Sequence, residues 1–142
     1  MATFNKFQSF VTAMAAGTHK NALNADSDTL KVYLSNTTPS ASLDSVKNDL
    51  AEITNENGYT APVDAQNAAT TATGTITVVG TDLTITASSG TVGPFRYAVL
   101  YNDTPTAPAD PLIGWWDYGS PITLQDGESF TVDFGASMFT IA

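Results

Sequence analysis

The chain has 142 residues, 14 acidic against 5 basic side chains, a net charge of −9 and no cysteine. That length fits one domain, 1–142, with a core of its own. The lack of cysteine removes disulfide and thiolate chemistry, and so acidic a chain is unsuited to gripping nucleic-acid phosphates or an anionic membrane surface. Only 13% of residues are charged while Thr, Ser, Asn and Ala abound, a composition closer to β-rich extracellular, surface or virion proteins than to cytosolic enzymes.

Residues 3–16 read as a short amphipathic helix. Thr3 is a candidate N-cap, Phe4, Phe7, Phe10, Val11 and Met14 follow at helical spacing, and Gly17 can end the segment. Residues 1–17 thus form an N-terminal helix or arm ahead of a β domain at 29–142. The aromatic stripe has two readings: it caps the β core, or it docks on a neighbouring subunit. Residues 1–16 lack the continuous apolar stretch of a signal peptide, and no run reaches the ~18 apolar residues of a spanning helix. Residues 18–28 are polar and hold the single histidine, His19, near Asp26 and Asp28. Their spacing matches no zinc or calcium loop, so neither a metal nor a cofactor is expected.

Thr29 to Ser35 reads as a strand with Leu30, Val32 and Leu34 on one face and Lys31, Tyr33 and Ser35 on the other. Ser42 to Ile53 carries Leu43, Val46, Lys47, Leu50 and Ile53 at helical spacing, which predicts a short helix. Ala61 to Thr73 is almost all small or polar and reads as extended or loop. Gly74 to Thr86 reads as a hairpin turning at Gly80-Thr81-Asp82. Phe95 to Tyr101 is a strand that places Phe95, Tyr97, Val99 and Tyr101 on one face, opposite Arg96, Ala98 and Leu100. Asn102 to Pro111, with its prolines and aspartates, is a wide loop. Pro111 to Tyr118 resumes an apolar run that Gly119-Ser120-Pro121 breaks. Glu128 to Phe134 alternates as a half-buried strand, and Met138 to Ile141 is the last. The sum is a mainly β antiparallel sandwich or jelly-roll-like domain with a short N-terminal amphipathic helix.

The sequence offers little to an enzyme. It has one histidine and no cysteine, and it lacks a nucleophile elbow, a zinc-protease motif, a phosphate loop and a dinucleotide fingerprint. Asp117, between Trp116 and Tyr118, is the most suggestive carboxylate for a sugar site, against the plainer reading of an aromatic core strand with an exposed acid. Arg96, the single arginine, is expected to pair with Asp117 or stack on Trp116, either within the chain or as an intersubunit bridge. Asn36-Thr37-Thr38 and Asn102-Asp103-Thr104 match the short glycosylation triplet.

The segments FNKFQSFVTAMAAGTH, DTLKVYLSNTTP, ITNENGYTAP and RYAVLYNDTPTAPADPLIGWWDYGSPITLQDGESFTVDF together resemble small structural proteins of tailed bacteriophages, and among these the capsid decoration (cement) proteins most. Related proteins follow Gly58-Tyr59-Thr60 with glycines, whereas Ala61-Pro62 follows here, a departure that alters a loop. The resemblance covers nearly the whole chain and brings no catalytic residue. It implies a virion location on the capsid surface, with the major capsid protein and further copies of the chain, a trimer among the options, as partners. Candidate contacts are Phe4, Phe7, Phe10, Arg96, Asn102, Asp103, Pro105 and Trp116, of which the tryptophan is placed in the core first. The competing readings are a tail, neck or fibre component, or a receptor- or glycan-binding β module.

Overall fold

A computed structural model describes residues 2–19 and 28–142. The protein is mainly β, with antiparallel sheets and one short N-terminal helix. Five strands form the principal sheet in the order β1-β8-β7-β2-β3: β1 is Thr3–Lys6, β2 Leu30–Ser35, β3 Val63–Asp64, β7 Val92–Asn102 and β8 Leu112–Leu124. A three-stranded sheet, β10-β5-β4, joins Phe139–Ile141, Thr75–Val79 and Ala68–Ala72, while β6 (Leu83–Thr86) pairs with β9 (Ser129–Val132). The helix α1 spans Gln8–Ala15.

The two long strands β7 and β8 are apolar on both faces, and both faces are covered. One face contributes Leu30, Val32, Leu34, Ala98, Leu100, Ile113 and Trp116 to a core shared with Val78, Ile85, Val132, Phe134 and Phe139 of the smaller sheets. That is the sandwich. The other face carries Tyr33, Tyr97, Val99, Tyr101 and Leu112, packed with Phe7 and Leu50. It is closed by residues 45–53, which hydrogen-bond across it: Leu112 N–H donates to the Ser45 carbonyl (2.9 Å), Tyr33 Oη to that of Lys47 (3.2 Å) and Ser35 Oγ to that of Ala51 (2.6 Å). Lys47 lies over the rings of Tyr33 (4.9 Å) and Tyr101 (5.9 Å) and pairs with Glu52 at 3.0 Å. This strap is therefore extended except for a 3₁₀ turn at Lys47–Asp49. The expected helix over 42–53 does not form, because the backbone groups it needs are bonded to neighbouring strands.

The N-terminal helix is half of what the phenylalanine spacing predicts. Thr3–Lys6 is a strand whose residues pair with Asp117–Gly114, so Thr3 is no helix cap, and α1 begins after Phe7. Phe4 stacks on Phe139 (5.6 Å) and tilts against Trp116 (5.2 Å), Phe10 meets Phe139 edge-on (5.6 Å), and Phe7 crosses to the second face to meet Trp115 at 4.5 Å. Full burial of one such side chain is worth about 1.5–3 kcal/mol and each aromatic pair about 1 kcal/mol more. A segment holding several of both is part of the core, not a free arm.

Three further expectations change. The predicted 74–86 hairpin is a crossing, since β5 and β6 lie in different sheets. The hairpin in this region joins β4 to β5 through Thr73 and Gly74, whose φ angles of 52° and 76° supply the two left-handed positions of a type I′ turn. Gly119-Ser120-Pro121 does not end its strand. β8 continues through it, but between its pairings with Tyr97 and Phe95 it runs from Asp117 to Ile122, so the surplus bulges out. At the same irregularity β7 loses its alternation, and Phe95 turns to the sandwich core while Tyr97, Val99 and Tyr101 face the strap.

Gly114 marks the closest approach of β1 to β8: a methyl there would fall on the Phe4 ring and the Asn5 carbonyl oxygen. Gly114→Ala is expected to destabilise the protein by about 1–3 kcal/mol through overpacking at backbone that has no room to yield, seen as a lower urea midpoint with an unchanged slope.

Candidate functional site

The loop between β7 and β8 is the most elaborately held surface segment, and its anchor is Asn102. This residue ends β7 with its side chain fully buried. Its Nδ2 donates to His19 Nδ1 (3.1 Å) and to Asp28 Oδ2 (2.9 Å), and its Oδ1 accepts the Thr104 N–H (3.1 Å). Its own N–H donates to the Pro111 carbonyl across the loop base (3.0 Å). Asn67 extends the knot, donating to the Asp28 carbonyl (3.1 Å) and accepting the Leu30 N–H (2.9 Å). Burying this many polar groups is tolerable because they satisfy one another. Among the described residues His19 Nε2 has no hydrogen-bond partner, and the ring leans on Phe10 at 5.1 Å.

The two donors on Asn102 Nδ2 fix His19 as the tautomer with a bare Nδ1, the neutral form. Burial pushes its pKa below the ordinary 6.5, with the Asp28 charge opposing. Such a ring holds structure together; with Nδ1 already engaged it is a poor metal ligand or base. Asp26, the third residue of the metal reading, lies outside the described residues.

Further ties fix the loop itself. Asp103 N–H donates to the Thr29 carbonyl (2.9 Å), Thr29 N–H donates to Thr104 Oγ1 (2.9 Å), and the Asp103 carboxylate meets Lys31 Nζ at 2.8 Å. At the far end Lys47 N–H donates to the Asp110 carbonyl (2.9 Å), joining the loop to the strap. The residues so presented, Asp103, Thr104, Thr106, Ala107, Pro108 and Ala109, are exposed. On one side of them a cleft of about 410 Å³ opens against Ala16–Thr18 and Asp28. On the other, a charge-free depression of about 370 Å³ lies against α1, lined by Ala13, Ala16, Pro108 and Pro111 among others. Beside the start of α1, whose Gln8 N–H donates to the Ala41 carbonyl (2.8 Å), the turn Ser40–Asp44 holds out Leu43, which is 82% exposed.

The structure scatters the residues singled out in the sequence. Phe10 and Trp116 are buried, with Phe4 half-buried beside them, in one aromatic cluster; Phe7 is buried on the opposite face. Being consumed by this chain's own core, Phe7, Phe10 and Trp116 offer no free contact surface, which corrects their assignment as contacts, while Phe4 keeps part of its ring exposed. Asn102 is likewise interior, so its glycosylation triplet is not presented. Arg96 forms a two-pronged pair with Asp117, Nε to Oδ1 at 2.7 Å and Nη2 to Oδ2 at 3.0 Å, and lies over Tyr97 at 5.3 Å. The pair holds the Asp117 carboxyl below its usual range, helped by the Gly119 N–H. Arg96 and Asp117 are thus joined within the chain, across the bulge, and not through Trp116. Asp103 and Pro105 alone of the candidates reach the presented loop. Leu43 escaped the sequence reading because its spacing assigned it to a helix stripe, and Asn67 because nothing local marks an asparagine as buried.

No family model, curated protein or solved structure matches the chain.

Two outcomes test this arrangement. Asn102→Ala leaves buried partners unsatisfied and is expected to cost about 1–3 kcal/mol, measured by urea unfolding, with a raised rate of proteolytic cutting in 103–110. The second is a pH effect. The folded pKa of His19 lies below its unfolded value, so its neutral form contributes full stability above about pH 6.5. As pH falls the unfolded chain takes the proton first and stability drops, levelling off once the folded pKa is passed. The urea midpoint should fall between about pH 7.5 and about pH 5, and His19→Gln should flatten that fall.

Proposed function

We propose that this chain is a structural virion protein of a tailed bacteriophage, of the capsid decoration kind. It binds the outer surface of the shell as a homo-oligomer and strengthens contacts between major capsid protein subunits, with no chemical step. The observation that carries the reading is the loop 103–110 and its surroundings. Its buried anchor, its bonds to β2 and its link to the strap make it a rigid rim, and the exposed Leu43 and a charge-free depression lie alongside. A fixed rim with small apolar residues is suited to seating on a partner with little ordering cost. At ~25 cal/mol per Å² of apolar burial, a modest contact repeated over many copies adds up across a shell. The net negative charge favours solubility before assembly.

The copy number per particle tests it. Quantitative mass spectrometry of purified virions should find this chain in a ratio near one to one with the major capsid protein. A few to some dozens of copies would replace the decoration role by a neck, tail or fibre role. Absence from the particle would overturn the virion reading altogether and favour a soluble receptor- or glycan-binding module.

A further inference from the structure

The strand β4, Ala68–Ala72, is the open edge of the three-stranded sheet. Its register with β5 fixes which of its backbone groups are bonded. The Val78 carbonyl accepts from Met138, so Val78 faces β10, and its neighbours Thr77 and Val79 face β4. Antiparallel pairing then directs the N–H and C=O of Ala68, Thr70 and Ala72 inward, and those of Ala69 and Thr71 outward. Nothing among the described residues bonds to these outward groups. Thr70 to Gly74 is exposed.

Sheet edges are ordinarily guarded by charge, proline, a bulge or a covering element. Among the described residues this one has none of these. From Ala65 to Thr81 there is no charged residue and no proline, in a chain of net charge −9. Like charge opposes the approach of two copies over most of the surface, and least here. The strand is also nearly symmetric about Thr70. A two-fold axis at Thr70 places Ala69 opposite Thr71 of a second copy, so the outward groups of both copies satisfy each other in four hydrogen bonds. Ala68 then faces Ala72, two small side chains, and Thr70 faces Thr70, a favourable cross-strand pair.

We infer that two copies of this chain pair antiparallel through β4, joining their three-stranded sheets into one six-stranded sheet about an axis at Thr70. The pairing consumes the edge in both copies, so it closes as a dimer. It rests on the oligomeric part of the assembly proposal and gives that part a surface.

The cysteine-free chain makes the test clean. Residues opposed at a non-hydrogen-bonded position have Cα atoms about 4.5 Å apart, within disulfide range. Thr70→Cys, treated with copper phenanthroline as oxidant, should give a covalent dimer in high yield, and Thr123→Cys, exposed on β8, should not. Wild-type protein should sediment as a dimer. Thr70→Lys, which sets two cations on the axis, should weaken it by at least about tenfold with an unchanged circular dichroism spectrum. Monomeric wild-type protein, equal cross-linking of the two cysteine variants, or a Thr70→Lys protein that dimerises as tightly as wild type would each overturn the pairing. All these measurements use purified protein, so their failure leaves the capsid reading to the particle counts, and a dimer missing from particles separates the two in the other direction.

Discussion

The need to bury both faces of β7 and β8 governs the rest of the molecule. Sheets with one wet face are the common antiparallel solution, but here Tyr97, Val99 and Tyr101 alternate with Ala98 and Leu100, and all five are buried. Two covers are therefore required. The sandwich partner supplies one and the strap 45–53 the other, and each brings its own polar devices. Lys47, lying over two tyrosine rings and paired with Glu52, lets a charged residue close an aromatic face. Tyr59, buried in the sandwich core, accepts the Leu34 N–H at 2.8 Å and donates to Glu52 at 3.4 Å. Burial holds the phenols of Tyr33, Tyr59 and Tyr101 well above their ordinary pKa, so these hydroxyls act as neutral hydrogen-bonding groups.

The same constraint shapes the surface. The chain must leave β7 and re-enter as β8 at the end where His19, Asp28 and Asn67 converge, and Asn102 ties His19 and Asp28, and through Asp28 also Asn67, to the loop base. Rigidity of the core is thereby handed to an exposed segment whose own composition, small residues and prolines, would otherwise leave it loose. In the proposed role this matters more than any single side chain, because a surface that is already ordered loses little entropy on docking.

Where alternation alone decides an element, the sequence reading and the structure agree. β2 places Leu30, Val32 and Leu34 in one core and Tyr33 in the other, and β9 places Val132 inward, with Phe134 following it just past the strand's end. The misreadings share a cause, which is that a long-range partner outweighs the local pattern. Phe4, Phe7 and Phe10 fit a helix stripe as well as any sequence can, and only pairing with residues 114–117 reveals a strand followed by a helix. Leu43 and Leu50 share a helical period, yet one is exposed and the other buried because residues 45–53 lie extended across the sheet. Phe95 changes sides because β8 carries surplus residues opposite it. Of the presented rim, prolines and aspartates made the loop visible, but its anchor was not: the burial of Asn102 depends on residues far away in sequence.

The edge position of β1 also bears on synthesis. Residues 3–6 leave the ribosome more than a hundred residues ahead of their partners, residues 114–117. Until residues 114–117 are made, β1 has no sheet to join and Phe4 has no Trp116 to tilt against. Contacts of such wide sequence separation form slowly, since the chain must close a loop of more than a hundred residues to make them. The docking of β1 is thus a late event, which makes residues 3–6 a reporter of whether residues 114–117 have been made.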